Sequence, residues 1–441
     1  MRQILVLPVS VVAVSLVSAT EYAVDSSLKT SAEYNDNYRL TVDDEISLSG
    51  YTVTPSISAQ ANEENWNASL NADFDFSRFN LDELDTDDQD INFNFANQGE
   101  IYYVNVFAGL VRDTTRTSEV EDSGRVGGAD RHEQYSLGSS AAYIFSEKNR
   151  LNFSASAAES KYDAVSRTDY QYFQGQLGWA HSLSEQLTLS LTANASRIEY
   201  EPTEISAEFQ AFVFNSPADI QVVTEEFAQS RESTTDSEGW SAVVDYQFTE
   251  KFNLSASYGN RDTDTKIYYD IEDFDNSCNR ADTDSFYVSS SLNFCNSEDS
   301  SSKVKVKDWD VNAEWVGERH KFNVGYTNNL QPSSDGLVIE SERVSFFWRY
   351  SVTKLGSLVL DTTWGENSAL DDPLANNGVS RVDRTFTNAV INYYHRIAEN
   401  WFVNASLRYS NQDRELNNGI AESTAITLGI KYQPTKSSWS R

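Results

Sequence analysis

Basic residues are scarce in this chain: 34 Lys and Arg stand against 67 Asp and Glu in 441 residues, a formal net charge of -33. A protein so acidic repels a phosphate backbone, which excludes nucleic acid as its partner. Long hydrophobic runs are missing too. Beyond the first 20 residues no apolar stretch approaches the roughly 18 residues that a membrane helix needs. This excludes a helical membrane protein but not a β-barrel, whose strands alternate and dilute the hydropathy signal. There are only two cysteines, Cys278 and Cys295, and four histidines. His132 falls in a long connection and His181, His320 and His395 beside short turns, with no ligand spacing among them, so no metal site and no cofactor are expected.

Aromatic residues are plentiful at 12%, with 9 Trp, 23 Tyr and 23 Phe, although mean hydropathy is -0.52. Disordered chains are poor in aromatics, so the polar composition belongs to a folded protein. The first residues add a compartment. Arg2, the apolar stretch Ile4 to Leu16 and the small residues Val17-Ser18-Ala19 have the three-part form of a secretory signal, with cleavage expected after Ala19. Residues 1–19 are therefore assigned to the signal and 20–441 to one domain. In an exported protein Cys278 and Cys295 are expected to form a disulfide.

Past the signal the dominant period is two. Trp240, Ala242, Val244, Tyr246 and Phe248 alternate with polar residues, as do Phe252, Leu254, Ala256 and Tyr258 after a short turn. Leu187, Leu189, Leu191, Ala193 and Ala195 repeat the design. A helix would scatter these residues around its cylinder, whereas a strand gathers them on one face.

Connections alternate between two sizes. Short ones lie at Ala61 to Asn65, Asn97 to Gly99, Ser146 to Asn149, Ser184 to Gln186, Thr249 to Lys251, Gly317 to His320, Thr353 to Leu355 and Ile397 to Glu399. Long polar ones lie at Phe79 to Gln89, Asp113 to Glu133, Tyr200 to Glu238, Asp264 to Ser302 and Asn367 to Asp383. Eight hairpins, with Leu28 to Leu40 before them and Ala421 to Gln433 after them, make 18 strands. The expected fold is all-β: a transmembrane, antiparallel, up-and-down β-barrel with long extracellular loops and both chain ends on the short-turn, periplasmic side. A soluble sandwich would bury its aromatics in mid-strand, but Phe145, Trp179, Phe248, Trp315 and Trp401 flank short turns, as an interfacial girdle does.

Two sequence features carry a resemblance. The first strand holds Ala32-Glu33-Tyr34-Asn35-Asp36-Asn37, and two hairpins share an aromatic–Ser/Thr–Glu–Lys form, Phe145-Ser146-Glu147-Lys148 and Phe248-Thr249-Glu250-Lys251. In these the chain resembles a β-barrel porin family that includes outer-membrane proteins associated with PEP-CTERM and exopolysaccharide systems. The resemblance implies a bacterial outer-membrane pore that passes a polysaccharide outward beside periplasmic export machinery, and it brings no catalytic motif. Many such barrels end on an aromatic residue; here Tyr432 is followed by Gln433-Pro434, and Trp439 stands in the polar tail.

Strand parity assigns the lumen. With the apolar set facing lipid, the inward residues include Asn67, Ser69, Asn71, Asp73, Asp75, Asp245, Asp308, Asp310, Glu314 and Asp361, with Lys29, Arg349, Arg408 and Lys431 as the basic members. Asn152, Ser154, Ser156, Asn404 and Ser406 join them. Such a lumen is neutral to mildly acidic and rich in groups that bond sugars, so the expected cargo is a polymer that is neutral or carries amino groups. A porin for small solutes is the alternative, and a barrel enzyme or adhesin a more distant one. Asp82, Glu83, Asp85, Asp87, Asp88 and Asp90 read as a solvated acidic loop rather than a calcium site, because the central glycine of an EF-hand loop is missing. Expected partners are outer-membrane lipid and lipopolysaccharide, the barrel assembly machinery, a polysaccharide and its export apparatus.

Overall fold

Each alternating segment forms an extended strand, and the first 18 strands each hydrogen-bond to their neighbours in the chain. The computed structural model describes residues 20–115, 130–164, 167–216, 219–271, 300–334, 336–370, 380, 382–414 and 419–440. The strands are β1 (Glu21–Asn35), β2 (Leu48–Asn62), β3 (Trp66–Phe79), β4 (Thr86–Gln98), β5 (Tyr102–Thr114), β6 (Arg131–Ser146), β7 (Asn149–Tyr162), β8 (Tyr170–Ser182) and β9 (Leu187–Ser216). There follow β10 (Asp219–Thr249), β11 (Phe252–Ile271), β12 (Ser300–Val316), β13 (His320–Pro332), β14 (Val338–Ser351), β15 (Gly356–Ala369), β16 (Arg384–Ala398), β17 (Trp401–Arg414), β18 (Ile420–Tyr432) and the short β19 (Ser437–Ser440). A 3-10 turn, Asp82–Leu84, precedes β4.

Antiparallel pairing runs without a gap from β1 to β18, and β18 returns to pair with β1, so the first 18 strands close into a barrel. The closing edge is divided. β1 meets β18 from Leu28 to Asn35 and β19 from Glu21 to Val24, where Tyr22 stacks on Trp439 with ring centroids 5.8 Å apart. Trp439 thus lies at the seam.

Closure joins the two ends of the sheet in one barrel wall, and the apolar side chains gather outside. Leu28, Leu70, Phe93, Leu137, Phe153, Leu177, Leu191, Val324, Leu407 and Leu428 are all exposed. In water so wide an apolar surface would drive aggregation, while in a bilayer each such side chain is stabilised by roughly 1.5–3 kcal/mol. Aromatics edge this belt. Trp401 with Tyr432 and Trp315 with Phe322 mark the short-turn end, and Trp240, Tyr258 and Trp309 mark the other. On β10 the interval from Trp240 to Phe248 is about 26 Å along the strand, comparable to an apolar band roughly 25 Å tall.

Turn chemistry explains the short end. Thr249 Oγ1 accepts from the backbone N–H of Lys251 (3.2 Å) and of Phe252 (3.1 Å), and Ser184 Oγ does the same for Gln186 and Leu187. A hydroxyl placed there satisfies donors that so tight a reversal leaves unpaired.

The connections at the far end depart from expectation. The segment Tyr200 to Glu238 is not a loop. β9 and β10 continue as paired strands past the end of the β8 pairing at Tyr200, forming a two-stranded ribbon that β11 joins as far as Ile271. Backbone pairing compensates the polar, Pro202-containing sequence that reads as a loop. The other long connections are shorter than expected too. β4 begins at Thr86, β5 ends at Thr114, β6 begins at Arg131, β15 ends at Ala369 and β12 begins at Ser300. Leu40 lies outside β1, which ends at Asn35. The acidic segment is likewise not one solvated loop: Asp87, Asp88 and Asp90 are on β4, and Asp85 accepts the N–H of Phe79 (2.8 Å). The signal segment and the Cys278–Cys295 pair lie outside the described residues.

Candidate functional site: a capped lumen

Every charged residue that parity assigns inward stands on the face opposite the exposed apolar set. Asp73 and Asp75 on β3 lie directly across from Asp90 and Asp88 on β4. Asp245 is on β10 opposite Ser255, and Asp308, Asp310 and Glu314 follow one another along β12. Arg349 is on β14 and Asp361 on β15, opposite Phe347. Lys29 and Lys431 face each other across the seam, with Arg408 on β17. Asn67, Ser69 and Asn71 share the inner face of β3, where Asn71 accepts from Ser58 Oγ (2.7 Å). Thr54 donates to Asp75 in the same row.

Most of this lining is bonded to itself. Asn312 and Asn323 exchange amide hydrogen bonds (3.0 and 3.3 Å), and Asn105 donates to Asn94 (3.0 Å). Glu314 is matched by Lys321 at 2.7 Å and Asp308 by Arg261 at 2.9 Å. Two inner glycines are required by neighbours: a Cβ on Gly138 would stand 2.2 Å from the Phe107 ring, and one on Gly365 2.3 Å from Phe386.

The distinctive element is the β13–β14 hairpin. Pairing of β13 with β12 stops at Asn328, while β12 continues beside β11 to Ser300. The hairpin is therefore free to lean away from its own wall. Leu330 and Val338 pack with Tyr170, Ile198, Tyr200 and Val306, and four of these six belong to strands β8, β9 and β12. Tyr200 then fixes the tip: its hydroxyl donates to Leu337 O (2.6 Å) and accepts from Ser333 N–H (3.1 Å). Thr168 N–H donates to Ser334 O (2.8 Å). A second apolar group, Leu337, Ile339 and Val382, secures the side towards β15 and β16. Because the inner faces of β8, β9 and β12 receive it, the hairpin leans inward over that side of the far mouth of the barrel.

Beneath it, on the wall from β7 to β13, lies a cavity of about 280 Å³. Tyr172, Gln174, Gln176, Asn194, Arg261, Asp308 and Asp310 are among its lining residues. Parity finds Asp308 and Asp310 but misses the others. Tyr172, Gln174 and Gln176 alternate just as visibly, and Arg261 continues the inward row Ser255, Ser257, Gly259, so the signal is present in each case.

One rim cluster bears on catalysis. His132, on β6 and buried rather than in a loop, places Nδ1 2.8 Å from Asp113 Oδ1 and Nε2 3.4 Å from Ser160 Oγ. The order of groups is that of a serine hydrolase. Access argues otherwise: Ser160 is 0% exposed, its oxygen accepts from the Gln134 amide (3.3 Å), and the Tyr162 ring stacks on the imidazole at 4.8 Å. A nucleophile needs a reacting atom about 3 Å away, and here that space is filled. The cluster ties together the outer ends of β5, β6 and β7.

Closed β-barrels with a lipid-facing belt, aromatic edges and short turns at one end are built for one kind of bilayer. This is an outer-membrane barrel. No family model and no curated protein matches the chain. Among solved structures it is similar to OpdL of Pseudomonas aeruginosa (9% identity, TM-score 0.43, covering 94% of this chain and 98% of that one). It is also similar to OccAB3 of Acinetobacter baumannii (9%, 0.43, 94% and 99%) and to the ferric-catecholate import receptor Fiu of E. coli K12 (9%, 0.46, 93% and 82%). The architecture of the outer-membrane barrel rests on its own strand pairing, and no cargo is carried over from these proteins.

Proposed function

We propose that the protein is a passive outer-membrane channel for carbohydrate, with an exported exopolysaccharide as its cargo. The observation that carries this reading is the inner wall. Hydroxyls and amides recur along it, and several of its charges are neutralised locally, as in Lys321–Glu314 and Arg261–Asp308. A barrel of 18 strands is wide enough to hold water rather than a filled core. Sugars present many donors and acceptors and little charge, so they exchange water for such a wall at little cost. The resemblance in Tyr34-Asn35-Asp36-Asn37 supports the choice of a polymer. Lipopolysaccharide around the outer rim, assembly machinery and periplasmic export proteins are the partners this function requires.

The β13–β14 hairpin favours a second reading, a selective porin for small solutes, because a narrowed mouth suits a small cargo better than a chain. Conductance in planar bilayers separates the two. The polymer reading expects an ohmic ion current that long neutral glycans interrupt for longer than their monomers do. Equal effects of monomer and chain favour the porin, and the absence of any current removes both.

A further inference from the structure

The cavity under the hairpin has an unbalanced charge in a neutralised neighbourhood. Arg261 engages Asp308 through Nε (3.1 Å) and Nη2 (2.9 Å), and both contacts use Oδ2. Oδ1 of Asp308 is left buried with no hydrogen-bond partner. One residue pair deeper on β12, Asp310 lines the same cavity and has no cation within ion-pair distance among the described residues. Lower still, Glu314 has its lysine. Lys303 and Lys305 sit on the other face of the strand and pair with Asp264 and Asp262. Arg261 therefore serves Asp308 alone, and the site holds an unfilled acceptor on Asp308 and a surplus negative charge on Asp310.

The remaining lining is suited to a polyhydroxylated ring. Gln174, Gln176 and Asn194 present amides that both donate and accept, and Tyr172 offers a ring held by its hydroxyl bond to Gln174 (2.8 Å). At about 280 Å³ the cavity is near the lower end of small-ligand sites. We propose that this cavity is a binding subsite for an amino sugar, with the sugar's ammonium between Asp308 Oδ1 and the Asp310 carboxylate and its hydroxyls on the three amides. The inference rests on the carbohydrate-channel reading and narrows it to a glycan bearing free amines. Thr327, Asn328 and Asn329 of β13 line one side of the subsite, and the largely buried Asp308 strengthens the charge-assisted bonds made to it.

Titration calorimetry on the detergent-solubilised barrel tests this without needing conduction. The probes are the glucosamine disaccharide, its N-acetylated form, maltose and ethanolamine, at a pH that keeps the amines protonated. The expected result is saturable binding of the glucosamine disaccharide, about tenfold or more tighter than that of the other three. Asp310→Asn is expected to remove this preference while leaving the variant's heat-modifiable migration unchanged. Equal binding of the acetylated sugar or of ethanolamine, no binding at all, or an unaltered preference in Asp310→Asn would each overturn the proposal. The comparison among probes uses the unaltered protein, so it stands even if the variant fails to fold. A barrel that conducts and is interrupted by neutral glycans, yet shows no amine preference, would refute this subsite and leave the channel reading intact.

Discussion

Two hairpins at the outer end of the barrel take opposite courses. The β9–β10 ribbon continues its strands past the rim, paired chiefly with itself, whereas the β13–β14 hairpin leaves its neighbour β12 at Asn328 and docks inward on β8 and β9. The difference lies in what each finds at the rim. Leu330 and Val338 meet a patch of inward apolar side chains, Tyr170, Ile198, Tyr200 and Val306, on a wall that is otherwise polar. In a barrel whose apolar residues point outward to lipid, a patch that points inward at the rim marks the place where a hairpin docks.

Removing one hairpin at a time should break the comparison most sharply. Replacing Gln331–Val338 by a tight turn is expected to raise single-channel conductance roughly twofold or more, since the narrowest section governs flow. Shortening the ribbon between Glu204 and Ser230 is expected to leave conductance unchanged. A rise in the second variant, or none in the first, would mean that the wrong hairpin has been named as the cap.

Next in size is Leu330→Ala. Leu330 is 8% exposed, and losing it should cost the docked state about 2–5 kcal/mol, a shift of more than tenfold towards an undocked tip. Hydrogen exchange at the Ser333 and Gly336 amides should accelerate while the β9 amides within the barrel wall do not. Tyr200→Phe removes only the hydroxyl that bonds Leu337 and Ser333. Its expected effect is smaller, about 1–2 kcal/mol on the same exchange rates, with no change in barrel melting.

The smallest effect is expected where the rim is tied without a hairpin. Ser160→Ala should cost about 1 kcal/mol of local stability at the β6–β7 rim. A serine-directed fluorophosphonate should leave Ser160 unmodified in the native protein. Labelling at Ser160 would reopen the hydrolase reading of the His132 cluster.

Much of the architecture is legible in the sequence because period two and lipid exposure act on the same residues. Leu187, Leu189 and Leu191 alternate, and they pair with Tyr246, Val244 and Ala242 in the barrel-wall part of the β9–β10 ladder. The ribbon is hidden. Pro202 and the polar stretches 201–204 and 230–238 read as a loop and mask the alternation of Ile205, Ala207, Phe209, Ala211 and Val213 between them. The cap is hidden more deeply. Leu330 and Val338 are ordinary members of their strands, and only the distant Tyr170 and Tyr200 decide what they touch. Arg261 falls between these cases. It lies on a readable strand, but its ion pair with Asp308 spans 47 positions of sequence and is decided by register.

The interrupted seam has a mechanical consequence. Between Val24 and Leu28, β1 has no backbone ladder on its closing side, and the gap is bridged by a side-chain bond from Gln433 to Asp25 (2.9 Å). Other junctions at this end of the ring pair up to their short turns, three of them through a bulge; here there is a zip and then a separate latch, β19, held by four residue pairs and one aromatic stack. Thermal opening of the wall should therefore begin at this corner, as a slit between β1 and the last strand that widens from the chain ends upward. Lipid acyl chains bordering Tyr22 and Trp439 would be the first to reach the water inside.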